Sequence, residues 1–270
     1  MSLADKIQNR MQQLGISPKR SLGQNFLISD HVVEKILAAA DPSTFDQVIE
    51  IGPGLGAITD EVFAQNNNLT LIELDQSFAQ FWRDQKINVE EINALEYPWK
   101  DLSFDSQRYL LVSNLPYQIS SRLVVDLSLL NPSFNRMVLM FQKEVAQRLM
   151  AEPGSSDYGL LTVVAQTYWH IQFVLEAGSV DFHPKPNVAS RVLKFDRKDK
   201  IPEFDSKGYM EFVKKAFANR RKKLLPKLTN YCDKDKLKEI FTEIGLSEDI
   251  RVEKLDISQF LDLYRRLKNG

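Results

Sequence analysis

Asn114-Leu115-Pro116-Tyr117 joins the residue types that can steer a weak amine. The exocyclic nitrogen of a nucleobase spreads its lone pair into the ring, so using it as a nucleophile means drawing it toward tetrahedral geometry. The Asn114 side-chain oxygen and the Leu115 carbonyl can accept its two N–H hydrogens, while Tyr117 offers a ring face for stacking. Such a site needs acceptors and a clamp rather than a strong base. The same four residues also suit a plain strand end, a proline turn and a half-buried tyrosine. The apolar run Tyr109 to Val112 ahead reads as a buried strand, and Ser120 to Leu130 behind reads as an amphipathic segment. The motif therefore falls at the end of a strand, where open α/β sheets bind ligands.

A second group of ligand-facing residues follows another strand pattern, Gln47 to Ile51, which empties into Gly52-Pro53-Gly54-Leu55-Gly56 and a helix from about Ala57. Glycines at a strand-to-helix turn let the backbone approach a ligand closely. The spacing is Gly-x-Gly-x-Gly, not the dinucleotide Gly-x-Gly-x-x-Gly. Glu50 beside the turn suits an ammonium-bearing ligand, such as the methionine part of S-adenosylmethionine, better than a pyrophosphate. A tight structural turn would need glycines as well. Leu69 to Leu74 delivers Glu73 and Asp75 where ribose hydroxyls are held in nucleotide-type folds. Ile87 to Ile92 ends at Asn93, an amide that can pair with an adenine edge or simply shape a turn.

Elements are needed to carry these groups. The chain opens with a polar helical pattern and then a stretch from Pro18 to Leu27 that includes Gln24, Asn25 and Leu27, either an arm folding over a ligand or a flexible lead-in. Ser29 or Asp30 can cap a helix with apolar face Val32, Val33, Ile36 and Leu37, ended by Asp41-Pro42. Met137 to Phe141 reads as a strand, followed by a helix carrying Glu144, Val145 and Leu149. Strand patterns at Phe173 to Leu175 and Val192 to Phe195 bracket a proline-stiffened loop from Phe182 to Ser190. There Phe182 could lie against a base with Lys185 near phosphate, or Phe182 could simply be core. Alternating strands and helices predict a mostly parallel sheet with helices on both faces. Beyond the charged linker from Lys194 to Pro202, helical patterns at Tyr209 to Phe217, Arg221 to Leu228, Lys234 to Ile244 and Ser258 to Leu267 predict a small helical domain.

Composition limits the function classes. The 43% hydrophobic and 26% charged content is that of a globular protein, and no apolar run approaches the ~18 residues of a membrane span. The charged start from Ala4 to Arg10 lacks a signal-peptide core. Cys232 stands alone, so no internal disulfide forms, and a reducing, cytoplasmic setting is expected. His31, His170 and His183 are scattered without metal-ligand spacing. The net charge of −1 hides an asymmetry: Lys185 to Lys227 holds 14 basic against 5 acidic residues, a surplus of nine, and the rest sums to −10. A basic region on a near-neutral protein points to a polyanion, although charge runs are commonly solvated helix faces.

Taken in order, the Leu22-to-Leu27 arm, Glu50 to Ala57, Asn114 to Tyr117, the Pro184-x-Pro186 loop and Phe217-x-x-Arg220-Arg221-Lys222 resemble the markers of the KsgA family of small-subunit rRNA adenine N6-dimethyltransferases. The resemblance covers nearly the whole chain. It implies an α/β fold: a Rossmann-like class I S-adenosylmethionine-dependent methyltransferase domain over residues 1–200, then a small all-helical RNA-binding domain over 201–270. Its implied cofactor is S-adenosyl-L-methionine. Its implied partner is 16S rRNA in the 30S subunit or its precursor, dimethylated at two adjacent adenosines of the 3′-terminal hairpin loop, by a monomer that meets no membrane. By carry-over, Gln24, Asn25 and Leu27 close over the cofactor, Glu50, Gly52, Gly54 and Gly56 hold its methionine end, Glu73 its ribose and Asn93 its adenine. Asn114, which also borders the cofactor, Leu115 and Tyr117 present the target base, and Phe182 stacks on its other face. Lys185, Arg220, Arg221, Lys222 and Lys223 contact RNA. The family commonly has Asp where Asn93 stands, a change that implies altered affinity with intact chemistry. An Erm-type large-subunit rRNA methyltransferase, a DNA adenine methyltransferase, and an assembly-checking RNA-binding factor with dispensable catalysis are the rival readings. The Arg220-Arg221-Lys222 segment and the helical C-terminal region favour the first-named family.

Overall fold

The computed structural model describes residues 1–18, 25–130, 133–199 and 204–269. The chain divides into two compact units, one formed by Met1–Ala146 with His170–Arg197 and the other by Gln147–Trp169 with Lys198–Gly270.

The first unit begins with α1 (Leu3–Leu14), started by a capping box in which Ser2 and Asp5 bond reciprocally and closed by Gly15 in the left-handed conformation. Next come β1 (Phe26–Leu27), α2 (Asp30–Ala40), β2 (Gln47–Ile51), α3 (Thr59–Gln65), β3 (Leu69–Glu73), α4 (Gln76–Asp84) and β4 (Asn88–Glu91). After these follow β5 (Tyr109–Asn114), α5 (Tyr117–Ser128), β6 (Arg136–Gln142), β7 (Trp169–Ala177), β8 (Phe182–His183) and β9 (Ser190–Arg197). Seven strands form one sheet in the order β4-β3-β2-β5-β6-β9-β7. The pairs β3/β4, β2/β3, β2/β5 and β5/β6 are parallel, and β9 runs antiparallel to β6.

Every residue from Tyr109 to Ser113 is buried, so both faces of the sheet centre are covered. That is why β5 reads as an unbroken apolar run rather than an alternation. Val32, Val33 and Ile36 of α2 are buried as its periodicity predicts. The strand order reverses at β2, with β3 and β4 to one side and β5 and β6 to the other. A crevice at the strand carboxyl ends is expected at such a reversal. A separate two-stranded ribbon pairs β1 with β8, Phe26 opposite His183 and Leu27 opposite Phe182.

α6 (Lys143–Leu149) carries the chain into the second unit, which adds α7 (Leu160–Tyr168), α8 (Ser206–Phe217), α9 (Lys234–Glu243) and α10 (Ile257–Asn269). Its core is aromatic: Tyr209, Phe212, Phe260 and Tyr264 are buried, and Phe204 packs edge-on against Tyr209 and Tyr264. Two of its buried hydroxyls are bonded, Tyr158 donating to the Leu255 carbonyl at 2.7 Å and Tyr209 lying 3.0 Å from Thr167 Oγ1.

Two expectations fail locally. Residues 221–228 form no α-helix but a turn, a bridge between Lys223 and Arg251 and a 3-10 turn at Leu225–Lys227. Asn219 has φ +56° and Pro226 lacks a backbone donor, which together prevent a continuous helix. Conversely, the sequence of α7 shows no helical period because nearly all of its residues are buried, leaving no polar face to set one.

Candidate active site

Four strand ends build the site, all within the first unit. β2 delivers Glu50 and the glycine turn, β3 delivers Glu73 and Asp75, β4 leads to Asn93, and β5 ends at Asn114. Ser113 Oγ donates to the Ile51 carbonyl at 2.6 Å, tying the ends of β5 and β2 together beneath the opening. The cavity there encloses about 310 Å³. Its lining includes Asn25, Leu27, Glu50, Gly52, Gly54, Glu73, Asn93, Asn114, Leu115 and Tyr117, residues spread over more than ninety positions of the chain.

Glu50 is 2% exposed and its Oε2 has no hydrogen-bond partner. Burial pushes its carboxyl up to about 8; the Asp60 and Glu73 carboxylates push the same way, and the nearby Thr59 hydroxyl offsets part of this. That hydroxyl nonetheless makes no hydrogen bond of good geometry, so the orphaned oxygen remains. A buried carboxylate facing a cavity with a lone pair to spare is a receptor for a cationic donor.

Glu73 is raised by burial as well, but it is better held. Its Oε1 accepts from the Asp75 amide at 2.9 Å and its Oε2 from the Gly54 amide at 3.3 Å, both favouring the ionised form. Asn93 Oδ1 accepts from the Leu95 amide at 3.0 Å, a local turn bond that holds the amide at the rim and leaves its second lone pair. Leu74, 62% exposed between the two acids, presents an apolar surface to the same cavity.

The arm is fixed from two sides. Asn114 Nδ2 donates to the Asn25 carbonyl at 3.3 Å, and the Ile28 amide donates to the Asp181 carbonyl at 2.8 Å next to the β1–β8 ribbon. The first of these bonds leaves the Asn114 side-chain oxygen available as an acceptor. Tyr117 Oη lies 2.8 Å from Ser190 Oγ at the start of β9. Burial raises the Tyr117 pKa and the Ser190 hydrogen bond lowers it, with burial the larger effect. The phenol therefore stays neutral, a positioned ring rather than a base.

Several expected site residues stand elsewhere. Gln24 lies outside the described residues. Phe182 is 1% exposed, belongs to the hydrophobic core and does not line the cavity, so its ring is core and no base can stack on it as placed. Its backbone instead pairs with Leu27. Gly56 does not line the cavity either: a Cβ at this residue, φ +82°, would overlap the Trp82 ring and the Arg10 guanidinium. Its lack of a side chain serves packing.

In the second unit, the Arg220 guanidinium is committed inward, to Glu253 at 2.6 Å and to the Ser156 and Ser155 carbonyls at 2.7 and 2.9 Å, and so it shapes its own turn rather than facing RNA. Lys223 is paired with Asp249. Arg221 and Lys222 are exposed and form no ion pair among the described residues, and Lys185 in the first unit is exposed too. Ile7 and Phe78 line the cavity without any sequence signal, since an apolar residue on an amphipathic helix looks alike over a core and over a ligand. Among the described residues, no cluster of His, Cys, Asp or Glu could hold a metal ion, and no helix is long and apolar enough to cross a membrane.

The chain resembles known proteins in sequence and in fold. The chain is 43% identical to ribosomal RNA small subunit methyltransferase A of Bdellovibrio bacteriovorus, covering 97% of this chain and 96% of that one. It is 40% identical to the protein of the same name from Syntrophotalea carbinolica, over 90% and 94%. Among solved structures, a dimethyladenosine transferase from Plasmodium falciparum superposes with a TM-score of 0.77 at 24% identity, covering 88% of this chain and 95% of that one. The 23S rRNA methyltransferase ErmE superposes at 0.69 with 23% identity, over 90% and 100%. These two likenesses establish the Rossmann-like methyltransferase fold. The model of the ribosomal RNA adenine dimethylase family matches residues 16–269, nearly the full length, and the chain belongs to that family.

Proposed function

We propose that this chain is an rRNA adenine N6,N6-dimethyltransferase that modifies two adjacent adenosines in the 3′-terminal hairpin loop of 16S rRNA during small-subunit maturation, with S-adenosylmethionine as methyl donor. The observation that carries this reading is the lining of one cavity by Asn114, Leu115 and Tyr117 together with Glu50, Glu73 and Asn93.

The residues present suit that cofactor. The orphaned Glu50 carboxylate matches an ammonium group, Glu73 and Asp75 match a diol, and Leu74 with Asn93 offers an apolar face beside an amide for a purine. Gly54 borders the same cavity at φ +49°, where a Cβ would crowd the Phe26 ring at 3.2 Å. When bound, S-adenosylmethionine supplies an electrophilic methyl group. Asn114 Oδ1 and the Leu115 carbonyl accept the amino hydrogens of the target adenine and turn its N6 lone pair out of the ring plane. Tyr117, held through Ser190, clamps the ring. Buried apolar neighbours exclude water, and the acceleration comes from orientation and from fixed acceptors rather than from a general base. A second methylation needs one N–H fewer, and either acceptor suffices for it.

For RNA, Lys185, Arg221 and Lys222 are the exposed cations proposed to meet phosphates, residues 201–270 forming the RNA-binding part of a monomeric enzyme. The test is labelled methyl transfer onto undermethylated small and large ribosomal subunits, with the modified nucleoside mapped. N6,N6-dimethyladenosine at paired adenines near the small-subunit rRNA 3′ end is expected; transfer to large-subunit RNA alone overturns the substrate assignment. Asn114→Ala should lower kcat at least ~100-fold while S-adenosylhomocysteine affinity changes by less than about threefold. Full activity in that variant would remove Asn114 from the chemistry.

A further inference from the structure

The family match begins at residue 16, and α1 lies wholly ahead of it. This helix nonetheless reaches the glycine turn. Ile7 lines the cavity, and Arg10, one turn on, extends from the same helix to the loop backbone. Arg10 Nη1 donates to the Leu55 carbonyl at 2.8 Å and to Asp60 Oδ2 at 2.6 Å, while Nη2 donates to Asp60 Oδ1 at 3.1 Å. The guanidinium carbon stands 5.4 and 5.3 Å from the ring centroids of Phe81 and Trp82. Trp82 Nε1 in turn donates to the Gly54 carbonyl at 2.9 Å.

Two successive carbonyls of the turn, Gly54 and Leu55, are thus each held by a side chain from another helix. The next residue, Gly56, has no Cβ because Arg10 and Trp82 occupy that space. Asp60, in the first turn of α3, receives the fork of Arg10 and also Lys6 Nζ at 2.7 Å. A planar guanidinium can serve a carbonyl, a bidentate carboxylate and aromatic faces at once, which an ammonium cannot.

We infer that Arg10 is a positioning residue of the cofactor site, α1 strapping the Gly52–Gly56 turn through the Leu55 carbonyl and so setting the backbone that receives the methionine end of the cofactor. This rests on the cofactor reading above.

The test uses the full chain. S-adenosylhomocysteine is titrated calorimetrically into wild type, Arg10→Ala, Arg10→Lys and Lys6→Ala, with ligand-free melting followed in parallel. Arg10→Ala should weaken binding by ~10-fold or more, Arg10→Lys should restore part of it, and Lys6→Ala should stay within about threefold of wild type. In methyl transfer, KM for S-adenosylmethionine should rise while kcat at saturation and KM for RNA hold within about threefold. Arg10→Ala binding within twofold of wild type overturns the inference, as does a fall of kcat and melting temperature together with a rise of both KM values, the pattern of a merely structural residue. Should Arg10→Ala fail to fold, Arg10→Lys and Asp60→Asn carry the same comparison. A wild-type protein that takes no S-adenosylhomocysteine overturns the cofactor reading itself, a result distinct from tight wild-type binding unaffected by Arg10.

Discussion

Glu50 shows how one residue links the fold to pH. Its folded-state pKa of about 8 lies above its ordinary 4.5, chiefly because the carboxyl is buried. Between these values the native protein keeps a proton that the unfolded chain has released, so stability of the ligand-free protein falls as pH rises through that window. The slope approaches ~1.4 kcal/mol per pH unit. Glu50→Gln removes the titration, so its stability relative to wild type should improve by about 2 kcal/mol between about pH 6 and 8, measured by urea unfolding. A stability difference that does not change with pH would contradict the assignment. Binding an ammonium requires the ionised form, hence wild-type affinity for S-adenosylhomocysteine should rise with pH toward about 8 and that of Glu50→Gln should not. The cost of keeping this carboxylate buried and unpaired fits a group whose partner arrives with the ligand.

At the scale of elements, the loop between β8 and β9 matters as a tie rather than as a base-binding surface. One end pairs with the arm, Leu27 opposite Phe182, and the other holds Tyr117 through Ser190. The arm is in turn bonded to Asn114. A ring of contacts therefore joins the arm, the motif after β5 and the proline loop. Losing one neutral hydrogen bond costs about 1 kcal/mol, so Ser190→Ala and Tyr117→Phe should each lower kcat/KM for methyl transfer by ~5- to 10-fold. Because they remove the same bond, the double variant should be no worse than either single one, and cofactor affinity should hold. Independent, multiplying losses would mean that Ser190 acts elsewhere. The same loop shows why the sequence leaves Phe182 open between base contact and core: its burial comes from elements distant in sequence.

For the whole molecule, the sequence count of charge overstates the free positive surface. Of the basic residues from Lys185 to Lys227, Arg191 pairs with Glu176, Lys194 with Asp196, and Arg220 with Glu253. Arg197 donates to the Ser128 and Leu130 carbonyls, and Lys198 to that of Gln166. Structural bonds thus absorb much of the surplus. Arg221 and Lys222 are exposed and pair with no acid among the described residues, so replacing both with Gln should reduce the slope of log binding constant against log salt by about 1–2, one unit per lost phosphate contact. Melting temperature and S-adenosylhomocysteine affinity should be unchanged. An unaltered salt slope would place the RNA contact elsewhere.

The strand runs at 47–51, 69–74 and 109–112, the glycine turn and the order of acid, amide and aromatic residues along the chain are all legible in the sequence, and the strands form within a residue or two of those bounds. They are local statements: period, β-branching and positive-φ positions are written in neighbouring residues. The gathering of Asn25, Glu50, Glu73, Asn93 and Asn114 around one cavity follows from the strand order, which alternating elements suggest and the registers of β2 with β3 and β5 establish. Other assignments depended on tertiary structure alone. Gly56 yields its space to Arg10 and Trp82, Phe182 sinks into the core, and Arg220 turns inward to Glu253. In each case the deciding partner is remote in the chain, 46, 26 and 33 residues away for Arg10, Trp82 and Glu253, and residue spacing carries no record of which distant side chain fills a given volume.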